Sequence, residues 1–438
     1  MHGGWRWATA VGMAVFLGAC GESTGRDDFD SPDGPGPWPL DAVKDYATAF
    51  GIGAGVRSVG VDEGHNIWLL KGAEIGVLRP GDTAPTWTRG VGQAAEGFGR
   101  DKKALGSTVI CGGEAGRAYV GYHTYELQPE VPDKPHAYIP VEGEPHYTAK
   151  RFAEYQKGDL DAVRLGSDGQ VVLEEHLWRS AGVSGGQQQL GIRNTNDFHY
   201  DEDRSVLACQ RVMRGRDRGD VYIGTNHGVT LVRGVTYNSH RHAAWYLETP
   251  RADGSVSQSL QAGFNWGLGI GPGGEVLVAN DWLVGILEPN GVLEDFDKER
   301  TWEGPVPWSY KGHNSQLNSL ESFDHWRAIA RTKAGTTWVG SRDFGLWRME
   351  QTDRSSANYT RLTALPSDNV TALAATDGGI VYVGTDDQGL WRIEEDGETL
   401  TRVDSVNGKQ VLQLVYDPTV APAMLYVLTD TGLTVLRE

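Results

Sequence analysis

One short residue pattern recurs along this 438-residue chain and restricts its fold more than any property of composition does. The clearest copies are Thr336-Thr337-Trp338-Val339-Gly340-Ser341-Arg342-Asp343-Phe344-Gly345-Leu346-Trp347-Arg348-Met349 and Ile380-Val381-Tyr382-Val383-Gly384-Thr385-Asp386-Asp387-Gln388-Gly389-Leu390-Trp391-Arg392-Ile393. Each is an aromatic, a valine, a glycine, a polar turn and Gly-Leu-Trp-Arg. Alternating apolar stretches, Trp326 to Arg331 and Val370 to Thr376, precede them. Weaker copies centre on Trp68, Tyr119, Tyr222 and Tyr426, and degenerate ones on Val171-Val172-Leu173 and Val276-Leu277-Val278. This makes about eight units, roughly 40 to 60 residues apart. Alternation over five to seven residues makes a half-buried strand, and the glycines and polar turns reverse the chain between strands. A lone unit of three or four strands cannot cover both its faces. Stacked radially, each sheet covers its neighbour, with Trp68, Tyr119, Tyr222, Trp338, Tyr382 and Tyr426 between sheets. The expectation is an all-β propeller of seven or eight blades.

The units at Trp338–Trp347 and Tyr382–Trp391 resemble the two-component regulator propeller repeats. That resemblance implies a propeller of the kind commonly joined, as a sensory domain, to a histidine kinase. The chain contains no kinase sequence, and a repeat grammar specifies a fold, not a function. The last unit stops at a third strand, Leu433-Thr434-Val435-Leu436. Asp45-Tyr46-Ala47-Thr48-Ala49-Phe50 is therefore expected to supply the outer fourth strand, closing the ring at residues 433–437.

Residues 1–19 read as an export signal: Arg6, an uncharged apolar run from Trp7 to Ala19, then Leu17-Gly18-Ala19-Cys20. That ending resembles the lipobox of bacterial lipoproteins, which implies a lipid on Cys20. The run is shorter than the ~20 residues of a spanning helix. Residues 20–40, rich in Pro, Gly and Asp, read as a disordered tether, and 41–438 as the propeller. Glycine after Cys20 resembles the pattern of outer-membrane lipoproteins in a diderm host. The lipid is the expected link to a membrane.

Acidic residues outnumber basic ones 58 to 40, a formal charge of −18. Such a surface repels polyanions, which argues against nucleic acid as a partner. Cys111 and Cys209 begin what count as the second and fourth units. Inner strands two blades apart exceed the ~7 Å Cα limit of a bridge, so the two are expected to be unpaired.

No nucleophile elbow or phosphate loop occurs. Gly335-Thr336-Thr337-Trp338 is half of a sialidase Asp-box, but Arg331 and Lys333 stand where the other half belongs. His240 and His242 lack further ligands at metal spacing. Asp201-Glu202-Asp203 lacks the spaced oxygens of a calcium loop. Asn265 and Glu114 are isolated. No catalytic set, metal or cofactor is therefore expected. The reading is a lipid-anchored envelope module that binds a protein or a glycan. A hydrolase or lyase acting at the central channel, and a structural envelope component, are the alternatives. The expected binding face carries the turns between second and third strands and the long between-blade connections. On it stand Asn226, His227, Asp281, Trp282, Arg342, Asp343, Phe344, Asp386 and Asp387, with His325 and Arg327 beginning an inner strand beside them.

Overall fold

The computed structural model describes residues 43–92, 107–122, 160–177, 206–215, 217–225, 228–244, 246–250, 256–260, 265–280, 284–287, 326–353, 356–394 and 396–437. They form seven antiparallel blades. The inner strands, in chain order, are Ser58–Val61, Ser107–Gly112, Val206–Arg211, Asn265–Ile270, Trp326–Arg331, Val370–Ala375 and Val411–Asp417. Each contacts the next, and the last returns to the first, closing a ring. Blade 4 has three described strands, and a two-stranded hairpin, Tyr246–Pro250 with Val256–Leu260, lies between blades 3 and 4 in the chain.

The repeat grammar has a direct packing explanation. The aromatic of the second strand fills the gap to the next blade. Trp68 packs with Ile110 and Val120, Tyr119 with Val206, Trp338 with Val370, Tyr382 with Val411, and Tyr426 with Val59. The glycine two residues on is a socket. A Cβ added at Gly121, Gly340 or Gly384 would lie 2.6, 2.3 or 2.5 Å from Cγ1 of Val206, Val370 or Val411, each the first residue of the following inner strand. Any larger side chain would push the neighbouring blade away. Six of the seven inner strands carry a register shift just after that first residue. Side-chain bonds stitch the ring as well. Gln413 Oε1 of blade 7 accepts from Ser58 Oγ at 2.8 Å and from the Val59 amide at 2.9 Å, while Thr371 Oγ1 donates to the Val411 carbonyl at 2.6 Å.

The blade count corrects the expectation of eight units. The stretches at Arg117–Tyr122 and Val171–Leu177 belong to one four-stranded sheet, blade 2, as its second and fourth strands. Residues 123–159 separate its second strand from its third, so one blade reads as two units in the sequence. A second correction follows. With one unit fewer, Cys111 and Cys209 lie on the inner strands of adjacent blades, 2 and 3, and they are bonded, with Cα atoms 6.0 Å apart.

The ring closes with an N-terminal strand, as expected, but from earlier residues. Val43–Asp45 pairs antiparallel with Thr434–Leu436 as the outer strand of blade 7. Tyr46–Phe50, expected in that strand, is instead a short helix. Asp45 caps it, accepting from the Thr48 amide at 3.1 Å, and Gly51, at φ 72°, ends it. The buried Tyr46 side chain joins the core shared by blades 7 and 1.

Candidate functional site

The inner strands end, on one side of the ring, in first-to-second-strand turns that bring charge to the channel. Blade 3 has the longest of these, from Arg211 to Asp220, and it crosses the channel end. Arg211 Nη2 lies 3.7 Å from Asp417 Oδ2 of blade 7, and Arg218 Nε lies 3.2 Å from Glu63 Oε1 of blade 1. Arg214 pairs with Asp377 of blade 6. Met213 packs into the blade 7 and blade 1 core.

Asp417 is fully buried. It accepts from the Thr419 amide at 2.9 Å and from the Thr419 hydroxyl, and His65 Nδ1 stands 3.3 Å from its Oδ2. Burial pushes its pKa up. The His65 contact, the Arg211 charge and the Thr419 bonds more than offset that, leaving it at about 2. Arg211 is 2% exposed, and its Nε, Nη1 and Nη2 have no hydrogen-bond partner among the described residues. Asp62 of blade 1, by contrast, has its pKa raised by burial, although it accepts from Asn66, Trp68 Nε1 and the Gly116 amide.

Beside the Arg211–Asp220 turn is a cavity of about 480 Å³, lined by blades 3 to 7. Its lining mixes aliphatic residues, including Leu268, Ile270, Ile329 and Leu414, with glycine backbone and polar groups, and Tyr416 is the one aromatic among the described lining residues. Arg214, Arg331, Lys333 and Asp377 are the charged groups among its described lining residues. This is the size and the mixture of an apolar body with a few polar groups that characterises ligand sites.

The face expected from sequence is the other end of the channel. Arg331 pairs with Thr337 at the cavity end of blade 5, whereas Trp326 pairs with Ser341 at the far end, where the turn bearing Arg342, Asp343 and Phe344 begins. Arg342 and Asp343 are exposed there. Phe344 is half-buried, and its amide donates to Ser341 Oγ at 2.7 Å while its carbonyl accepts from Trp347 Nε1 at 2.9 Å. Asp386 accepts from Gln410 Nε2 at 2.6 Å, and Asp387 from Ser367 Oγ at 2.5 Å, so both hold turns together. Arg327 lies in the bulge of its inner strand, over the Trp266 ring of blade 4 at 4.8 Å. Asn226, His227, Asp281, Trp282, His325 and Cys20 lie outside the described residues. Of the two isolated candidates, Glu114 pairs with Arg117, and Asn265 is buried at the start of the blade 4 inner strand.

Sequence reasoning missed the cavity end. A signal was present: Arg211, Arg214, Arg216 and Arg218 fall within eight residues of a chain whose formal charge is −18. Nothing local showed that this stretch crosses the channel.

No protein-family model matches the chain, and no curated protein matches it. The resemblance to the two-component regulator propeller repeats therefore rests on the repeat residues themselves. Among solved structures, the chain is similar to the extracellular domain of a putative hybrid two-component system from B. thetaiotaomicron (10% identity, TM-score 0.47, covering 90% of this chain and 41% of that one). It thus spans about two fifths of that chain. It is also similar to virginiamycin B lyase from Staphylococcus aureus (8%, 0.45, 88% and 95%) and to YCF48 from Cyanidioschyzon merolae (10%, 0.49, 91% and 99%).

Proposed function

We propose that this protein is an exported binding module, tethered to the envelope by a lipid on Cys20, that holds a segment of a partner protein at the cavity end of its channel. One observation carries the reading: an open cavity of about 480 Å³ to which five blades contribute aliphatic side chains, glycine backbone and charged groups. Among the described lining residues Tyr416 is the single aromatic, which favours a protein segment there over a glycan, since sugars are usually held by stacking on several rings. The Cys111–Cys209 bond supports export, because structural disulfides persist in oxidising compartments. Among the described residues, no helix is long and apolar enough to cross a membrane. Outer-membrane placement rests on the glycine after Cys20.

A second reading keeps the binding face at the opposite end, with Asn226, His227, Asp281, Trp282, His325, Arg327, Arg342, Asp343, Phe344, Asp386 and Asp387 facing a glycan or protein. The Arg327–Trp266 stack, half-buried at that end, favours it.

The two are separated by capture of partners from solubilised envelope. Ala375→Phe, which fills the cavity, should abolish capture, while Arg342→Ala, Phe344→Ala and Trp282→Ala together should leave it intact. The reverse outcome moves the site to the other face.

A further inference from the structure

Arg211 is charged and enclosed, yet its side chain makes no hydrogen bond. It is 2% exposed, and Nε, Nη1 and Nη2 all lack a partner. Buried donors are rarely left so, because each forfeits its hydration without return. Blades 3 and 7 are not neighbours in the ring, so the approach of Nη2 to Asp417 Oδ2, at 3.7 Å, sets the guanidinium across the channel. That distance gives attraction without a hydrogen bond. Asp417 is committed elsewhere. Its Oδ1 accepts from the Thr419 amide and hydroxyl, and its Oδ2 faces His65 Nδ1 at 3.3 Å. Glu63 of blade 1 is paired with Arg218. Arg211 therefore has a counter-charge nearby but no acceptor.

We infer that Arg211 holds a small monovalent anion, a halide or a compact carboxylate such as formate, in the channel beneath the Arg211–Asp220 turn. The Arg211–Asp417 pair is a dipole with the guanidinium at its positive end. An anion on the side away from Asp417 gains more from the near charge than it loses to the far one. A doubly charged ion fits less well, because its desolvation cost rises as the square of its charge and Asp417 repels it twice as strongly. A charged acceptor also bonds a guanidinium more strongly than a neutral one does. The turn closes over the site with Met213 packed into the blade 7 and blade 1 core, so the ligand is small. The inference stands whichever end of the ring takes the partner protein.

The test is urea denaturation of the full-length protein in neutral detergent at constant ionic strength. Chloride or formate replaces gluconate, an anion too bulky for an enclosed site. Either small anion should raise the midpoint in a saturable way, because a ligand of the native state alone stabilises by mass action. Arg211→Met should abolish that dependence. Arg211→Lys keeps the charge but not the planar fork and should weaken half-saturation about tenfold. Asp417→Asn removes the opposing charge and should tighten it. The anion that half-saturates at the lower concentration, chloride or formate, assigns the site to a halide or to a carboxylate. A wild-type midpoint indifferent to both overturns the inference. So does an equal rise in Arg211→Met, which marks a general salt effect. Should Arg211→Met fail to fold, wild-type crystals soaked in bromide decide: an anomalous peak beside the Arg211 guanidinium is expected, and its absence refutes the site.

Discussion

Removing the Cys111–Cys209 bond should cost this propeller several kcal/mol of stability. The bond ties the inner strands of blades 2 and 3 across a sequence separation of 98 residues. In the chain-entropy account, a bridge stabilises by denying the unfolded chain the conformations in which its two ends are apart. For a loop of this length the loss is about 16 cal/mol/K, or about 4.7 kcal/mol at 25 °C. Native disulfides commonly deliver about 2–5 kcal/mol when removed, so the figure lies near the top of the range. Little else should change with alanine at both positions, since each cysteine is under 10% exposed in an apolar cluster and alanine adds no polar group. Urea denaturation of residues 21–438, which lack Cys20, is the assay. Cys111→Ala with Cys209→Ala should lower the midpoint and raise the dependence on urea, because the unbridged unfolded chain exposes more surface. Reductant should bring the wild type to the double variant and leave the variant unmoved. Two free thiols titrated in the denatured, unreduced wild type would refute the reasoning, as would a wild-type midpoint indifferent to reductant.

Three further predictions concern the ring. Asp417, held at about 2 against an ordinary value of 3.8, should contribute about 2 kcal/mol that is fully present above pH 4 and is lost as pH falls towards 2. Asp417→Asn, which also strands the buried Arg211, should cost about 3–5 kcal/mol at pH 7 and less at pH 3, so a gap independent of pH would contradict the assignment. Gly384→Ala should destabilise by about 1–3 kcal/mol through its clash with Val411, measured as a urea midpoint; with Val411→Ala added, the clash term should shrink in a double-mutant cycle. Starting the chain at Tyr46 instead of Gly21 removes Val43–Asp45, bares the edge of Gly432–Arg437 and should promote self-association in size-exclusion chromatography, whereas a start at Val43 should remain monodisperse.

Much of the fold was legible in the sequence because a propeller writes its packing locally. The aromatic, the valine and the socket glycine of one unit sit within five residues, and their partner Val370 or Val411 begins the next unit, so period and architecture follow from the string. Closure by an N-terminal strand was likewise expected, and Val43–Asp45 supplies it beside Thr434–Leu436. The choice between strand and helix over Tyr46–Phe50 did not show, because the Asp45 cap and the buried Tyr46 act only once blade 7 is in place. Blade membership was hidden where residues 123–159 divide one sheet, since spacing along the chain counts insertions as blades. From that one miscount came the wrong forecast for Cys111 and Cys209. The candidate site was hidden for a related reason. Arg211 and Asp417 are 206 positions apart in the chain. Only the closed ring sets blade 3 opposite blade 7, so only the tertiary structure could bring Arg211, Arg214 and Arg218 over the channel and give the cavity its charge.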